Sequence, residues 1–366
     1  MLENWSQLSE KLDEDAAKYR IPLSGQFEIT ARCNLQCKMC YVCRTAGDRS
    51  VMERELTAAE WIHLAEEAKS AGMLNLLITG GEAFLRKDFR QIYEALAEMG
   101  LHIKIYTNGT LITPKIAKWL GKIPPKRMDI TLYGASPETY QRVTGNGNAY
   151  YSAIRGVDLL LSEGIQLGLR TTVIRDNADD YHKLLSLAEE RDLLLKFVYY
   201  ISDRRGEKNT ELDSLRLSPL EIARYEARAG KDYARAYKKL YNGITSDTTD
   251  YENKVSPIDD YAFRCNAGKS EFWITWDGKM SACGVIDEAV AEPMKLGFSE
   301  AWNSLTNFCN SISPCTECRE CLHREYCWTC PARLKIETGH YDKPAPYICE
   351  WAKYRGEYFM ESSSFK

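Results

Sequence analysis

The sequence predicts an α/β fold of parallel strands joined by helical crossovers, followed by a cysteine-rich region. Three observations predict it. Short apolar runs recur about every thirty residues between positions 26 and 200, which is the βαβ period. Amphipathic helix patterns fill the gaps between them. Thirteen cysteines sit in two groups, with none between Cys43 and Cys265.

The elements follow in order. Residues 1–25 form an N-terminal extension. The strand-like runs are Phe27–Thr30, Leu74–Thr79, Ile103–Thr107, Met128–Leu132, Leu167–Ile174 and Lys196–Tyr200. Thr57 and Glu60 make a capping box ahead of Trp61, Leu64 and Ala68, which starts a helix that Gly72 closes. Phe89–Met99, Ile116–Leu120, Ala149–Leu161 and Tyr181–Arg191 are the other helix patterns. Parallel strands with helical crossovers build either a barrel or an open doubly wound sheet. Residues 206–260 are polar and partly helical, with Ser218-Pro219-Leu220-Glu221 as a second capping box, and they read as a bridge. Residues 261–350 hold most of the cysteines, with a hairpin expected at Phe272–Trp276 and Lys279–Ala282 around Asp277-Gly278. Residues 351–366 read as a C-terminal helix or tail.

Composition excludes several classes. The 366 residues carry 48 Lys and Arg against 52 Asp and Glu, a net charge of −4 with His neutral. That balance argues against nucleic acid as a partner. No apolar run spans a bilayer and no secretory signal opens the chain, so a cytoplasmic protein without a membrane partner is expected. An odd cysteine number in a signal-less chain speaks against a disulfide framework, and tight CxxC-type spacings point to metal.

The loop after the first strand reads Cys33-Asn-Leu-Gln-Cys37-Lys-Met-Cys40-Tyr41. Three thiolates at this spacing reach three corners of a 4Fe–4S cluster and leave one iron open. A zinc loop completed by Cys43 or a distant His is the alternative.

This loop, at the end of the first strand of a βα series, resembles the radical S-adenosylmethionine (radical SAM) superfamily, and Met39 and Tyr41 fit the same motif. Further motifs follow in the family's order over residues 27–174. Thr79-Gly80-Gly81-Glu82 resembles the Gly-Gly-Glu-Pro motif that lines the amino group of SAM, with Ala83 in place of the proline. Thr107-Asn108-Gly109 resembles the ribose-contacting turn. Asp129-Ile130-Thr131-Leu132-Tyr133-Gly134 resembles a Ser-Leu-Asp-Gly stretch, with Thr131 at the hydroxyl position and Tyr133 in place of the aspartate. Arg142, and less directly Arg170, match positions that hold the SAM carboxylate.

The resemblance implies a partial (β/α)6 TIM-type barrel over residues 26–205. It also implies a 4Fe–4S cluster on Cys33, Cys37 and Cys40 that binds SAM. One electron from a flavodoxin- or ferredoxin-type partner then cleaves SAM to methionine and a 5′-deoxyadenosyl radical, which takes a hydrogen from the substrate.

The later cysteines resemble the SPASM extension of peptide-modifying members. Cys265, Gly278 and Cys283 fit its opening, followed by Cys318, Cys321, Cys327, Cys330 and Cys349, although the last internal gap is one residue short. Two auxiliary 4Fe–4S clusters are implied. One falls to Cys265, Cys283 and Cys330 with Cys315 or Cys309, and the other to Cys318, Cys321, Cys327 and Cys349. The competing assignment is structural zinc, with His323 as a substitute ligand, in a binding module without catalysis. A peptide is the expected substrate, and a sugar or aminocyclitol is the alternative. Sulfatase maturases carry an acidic residue just after the cysteine matching Cys283, where this chain has Gly284. Asp203, past the sixth strand, is the candidate base or substrate contact.

Overall fold

The computed structural model describes residues 5–42, 44–241, 261–327 and 330–363. The chain divides into two compact units. The first comprises residues 1–215 with 266–308, and the second 216–265 with 309–366. Residues 266–308, expected from sequence to join the later cysteines, thus group with the barrel.

The first unit opens with a helix, α1 (Trp5–Tyr19), then strand β1 (Ser24–Glu28). Two short strands, β2 (Arg32–Cys33) and β3 (Arg44–Thr45), pair with each other and span the cysteine loop. The alternating series follows: α2 (Arg49–Met52), α3 (Ala58–Ser70), β4 (Asn75–Thr79), α4 (Phe89–Glu98), β5 (His102–Thr107), α5 (Pro114–Lys122), β6 (Arg127–Thr131), α6 (Pro137–Thr144), α7 (Ala149–Ser162), β7 (Leu167–Thr172), α8 (Tyr181–Glu189) and β8 (Leu195–Val198). Strands β9 (Glu271–Ile274) and β10 (Met280–Ser281) complete it.

One sheet runs in the order β10-β9-β1-β4-β5-β6-β7-β8. The six expected strands are parallel neighbours in chain order, as right-handed crossovers require. The expected hairpin forms, but its first strand lies parallel to β1, with Phe27 opposite Ile274. The sheet therefore gains two strands at one edge, and β8 and β10 are not paired with each other.

The parity of the strands sorts the residues. Phe27, Ile78, Ile105 and Ile130 are fully buried, and Phe27 packs against Trp61 of α3. The opposite parity carries Glu28 opposite Thr79, Tyr106 opposite Asp129, and Thr131 opposite Arg170. A barrel whose second face is polar has room for chemistry at its strand ends.

Helix starts follow their caps. The Thr57 box is complete, with Glu60 reaching back to the Thr57 backbone. Helix α6, unforeseen in the sequence, is capped by the Ser136 hydroxyl with Pro137 in its first turn.

In the second unit, the helix Pro219–Tyr241 runs against the helix Pro346–Ser363. Arg355 makes two bonds to Glu226, and the Trp351 indole N–H donates to the same carboxylate at 2.7 Å. Arg216 and Glu337 form a second paired fork at 3.0 and 2.6 Å. Residues 242–260 of the expected bridge, and Cys43, lie outside the described residues. Among those described, no helix is long and apolar enough to cross a membrane.

Candidate functional site

The cysteine loop leaves β1 at a crowded point. A Cβ on Gly81 would stand 2.4 Å from the Arg32 carbonyl oxygen and 2.6 Å from that of Ala31, and one on Gly80 would stand 2.5 Å from the Thr30 oxygen. The Gly81 N–H instead donates to Thr30 and the Glu82 N–H to Arg32, at 2.7 and 2.8 Å. The two glycines therefore let the β4 turn lie directly on the start of the cysteine loop.

Both ends of the loop are tied down. Arg32 grips Glu55 through two bonds of 2.9 Å, and Thr30 donates to the same carboxylate. Further along, the Gln36 and Lys38 N–H groups donate to the Thr144 and Val143 carbonyls at the end of α6. Lys38 also pairs with Asp176 at 2.7 Å.

These ties gather the thiols. The Tyr133 hydroxyl is hydrogen-bonded to Cys37 and stands within electrostatic reach of Cys33 and Cys40, and burial among them raises its pKa well above the usual phenol value. Burial, with Glu82 nearby, pushes the Cys33 thiol up to about 12. Asn108 donates to the Cys33 sulfur at 3.7 Å and to Asn34 at 3.0 Å, while its own oxygen accepts from Thr110. The expected ribose-contacting residue thus positions Cys33.

Glu82 is fully buried, which raises its pKa. It accepts from Thr107 at 2.7 Å, from the Asn108 N–H at 2.8 Å and from the Phe84 N–H at 3.2 Å. A carboxylate has about four acceptor sites, so one remains for a ligand cation.

Thr131 and Arg170 are register partners on β6 and β7, and Arg170 stacks over the Tyr106 ring at 4.3 Å. Met39 is buried. Arg142 is exposed on α6 and donates to Thr139 and to the Asp176 carbonyl. Asp203 accepts from the Asn209 backbone at 3.0 Å, closing its own loop.

Two residues on from Asp203 stands Arg205, which the sequence places at the same strand end without a role. Arg205 makes a two-pronged ion pair with Glu28 at 2.9 and 2.8 Å and donates to the Gly284 carbonyl. Its guanidinium lies 5.3 Å over the Tyr41 ring. Tyr41 in turn stands within electrostatic reach of Cys40 and Cys283. A side chain at 284 would require the Trp273 ring to shift, since that ring lies 2.7 Å from where its Cβ would be.

In the second unit a cavity of about 70 Å³ is lined by Cys315, Cys318, Cys321, Cys327 and Cys349. Cys318 is hydrogen-bonded to Cys315, and burial with the neighbouring thiols of Cys315, Cys327 and Cys349 raises its pKa. Cys315, expected from sequence with Cys265, Cys283 and Cys330, thus lines the cavity of the other set. Cys330 caps the helix Pro331–Thr338 through its sulfur, Cys265 is exposed, and Cys309 is buried.

Among the described residues, no three His, Cys, Asp or Glu side chains converge closely enough for a single metal ion. A cuboidal cluster stands between its thiolates and does not need them that close. The donor set of Cys33, Cys37 and Cys40, all thiols facing one buried hydroxyl, fits such a cluster.

Residues 27–188 match the family model described as "Radical SAM superfamily". The "AdoMet-dependent heme synthase" of Methanosarcina barkeri is 26% identical over 337 residues, covering 88% of this chain and 94% of that protein. Two solved structures share the fold. "Native anSMEcpe with bound AdoMet" has a TM-score of 0.68 at 15% identity, covering 94% of this chain and 98% of that one. Streptococcus suis SuiB bound to precursor peptide SuiA has a TM-score of 0.67 at 17% identity, covering 95% and 82%.

Proposed function

Residues 27–188 belong to the Radical SAM superfamily, so this is a radical SAM enzyme, and we propose that it modifies a peptide by crosslinking, thioether formation or a related oxidation. The observation that carries the reading is the gathering of Cys33, Cys37 and Cys40 around the Tyr133 hydroxyl at the strand ends. A 4Fe–4S cluster on these thiolates, with SAM, supplies one-electron cleavage of the sulfonium and a 5′-deoxyadenosyl radical.

The chain's own groups do the rest. Asn108 fixes the Cys33 sulfur, and the grip of Arg32 on Glu55 fixes the loop that bears it. The last acceptor site of Glu82 would take the SAM ammonium, since a buried carboxylate favours a cation. Thr131 and Arg170 supply a hydroxyl and a guanidinium for the nucleoside and carboxylate of SAM. Arg142 is the alternative carboxylate partner, and Asp203 is the candidate base. Cys318, Cys321, Cys327 and Cys349, with Cys315 in the same cavity, are proposed to hold an auxiliary cluster. Only the resemblance to the SPASM extension groups Cys265, Cys283 and Cys330 in another. A flavodoxin- or ferredoxin-type protein is the proposed electron donor.

The peptide reading is supported by the likeness of fold to SuiB, which was solved with its precursor peptide. A second reading, oxidation of a small molecule, is favoured by sequence similarity to the heme synthase over nearly the whole of both chains.

The test is anaerobic co-expression with a short peptide encoded beside the gene. The expected result is a peptide that has lost two hydrogens with the wild type and none with Cys37→Ala. One hydrogen atom leaves to the deoxyadenosyl radical. The other would leave as a proton, with its electron passing to an acceptor such as the auxiliary cluster that Cys318, Cys321, Cys327 and Cys349 would hold. An unmodified peptide, beside robust 5′-deoxyadenosine formation with a small acceptor, would sink the peptide reading.

A further inference from the structure

We infer that a second cavity in the barrel unit binds a carboxylate group on a hydrocarbon stem, carried by the substrate. The inference rests on the radical SAM reading only for the identity of that ligand as substrate. The cavity has a volume of about 200 Å³, room for a carboxylate and a few carbons. It lies beside the cysteine loop. Val42 and Arg44, which follow Cys40, form part of its wall, and Arg205 forms another part while also reaching Glu28.

Charge selects the ligand. Four cations line the cavity or border it: Arg44, Arg54, Arg205 and Lys279. Arg205 is neutralised by Glu28 at 2.8 Å, and Lys279 by Asp277 at 2.8 Å. Asp287 also lines the wall, and Asp48 stands within electrostatic reach of Arg44, so the four cations face four carboxylates. Arg44 and Arg54 make no ion pair among the described residues. Asp48, the acid that feels Arg44, spends its oxygen on Ser50 and the Val51 N–H. Arg54 is already oriented. It lies 4.7 Å over the Trp276 ring and its Nε donates to the Ser50 carbonyl at 3.1 Å, which leaves the far nitrogens of its fork for a ligand.

Balanced surroundings disfavour a dianion more than a monoanion. A phosphate dianion would meet Asp277 and Asp287 with too little positive charge to compensate. Two planar guanidinium forks match the two oxygens of a carboxylate. The remaining wall includes Ala31, Ile286 and Ala289, which suits a hydrocarbon stem. In a peptide the ligand would be an acidic side chain or the C-terminus, and in a small molecule an alkyl carboxylate.

The experiment titrates the full chain with butyrate, butyramide and inorganic phosphate at fixed ionic strength, following binding by NMR. Butyrate is expected to saturate one site, with butyramide failing to compete. The double variant Arg44→Gln/Arg54→Gln is expected to weaken butyrate at least about tenfold, from the loss of charge-assisted bonds. Ala289→Phe, which fills the space and leaves every charge in place, is expected to weaken it as well, and circular dichroism checks that both variants are folded. Absence of saturable butyrate binding, unchanged binding in both variants, or tighter binding of phosphate at this site would each overturn the inference. No SAM is needed for this measurement. Failed binding beside intact 5′-deoxyadenosine formation therefore removes this site alone, and failed SAM cleavage leaves the binding result standing.

Discussion

Glu28 is 1% exposed at the end of β1, where an isolated carboxylate would be costly. Burial pushes its pKa up, and the paired Arg205 fork opposes that. Removing one member of a buried pair leaves the other without compensation, which typically costs about 3–5 kcal/mol, whereas removing both is often near neutral. Arg205→Met is therefore expected to lower the urea midpoint sharply, and Glu28→Gln/Arg205→Met to recover most of the loss. A double variant that loses the sum of the Glu28→Gln and Arg205→Met losses would show that the pair is not coupled. Neither residue could be matched to the other from sequence, because 177 positions separate them and Glu28 reads as one polar step in a strand. The cysteines and Gly80-Gly81-Glu82 were legible because their chemistry is written in local spacing. Asn108 was legible as part of a motif, yet its grip on Cys33 depends on a fold that brings β5 to β2.

At the scale of elements, the six parallel strands were legible because apolar periodicity is local. The partner chosen by the hairpin was not, since a strand edge is completed by whatever segment the tertiary fold delivers. Helix α6 had its signal in Ser136-Pro137, a cap and first turn that sequence inspection passed over. Helix α1 offers little, because it buries few side chains and its Leu8 and Leu12 are exposed. Its Asp13 stands within electrostatic reach of Glu271 on β9. Burial first, and then Asp13, raise the pKa of Glu271 above 4.5, and burial raises Asp13 above 3.8. Each carboxyl thus holds its proton more tightly in the fold than in the unfolded chain. Folded stability is full below the ordinary carboxylate range and is lost as pH rises through the raised values. Glu271→Gln removes the larger part of that dependence. Its melting temperature is expected to change less than the wild type's between pH 4.5 and about pH 7. Parallel curves for the two proteins would place the pH dependence elsewhere.

At the scale of the whole chain, each unit has a thiol set of its own. Cys33, Cys37 and Cys40 lie in the first, and the five cysteines around the 70 Å³ cavity lie in the second. The grouping of Cys315 with that second set escaped the sequence, because CxxC spacing counts residues and cannot say which thiols face one space. Five thiols exceed what one four-thiolate cluster needs, so the count of metal, rather than of cysteines, decides what the region holds. Anaerobically reconstituted protein is expected to carry roughly twelve irons and as many sulfides if all three sets are filled. Cys318→Ala/Cys321→Ala is expected to lose about four of them while still forming 5′-deoxyadenosine, since the barrel set is untouched. Cys33→Ala/Cys37→Ala is expected to lose a similar number and all 5′-deoxyadenosine. The second unit should survive the first pair of changes only in part, because thiols that ligate a cluster contribute its binding energy to folding. Stoichiometric zinc without sulfide in the Cys33→Ala/Cys37→Ala protein would mean that the second unit is a zinc scaffold, and the oxidative step would then have to pass its electron elsewhere.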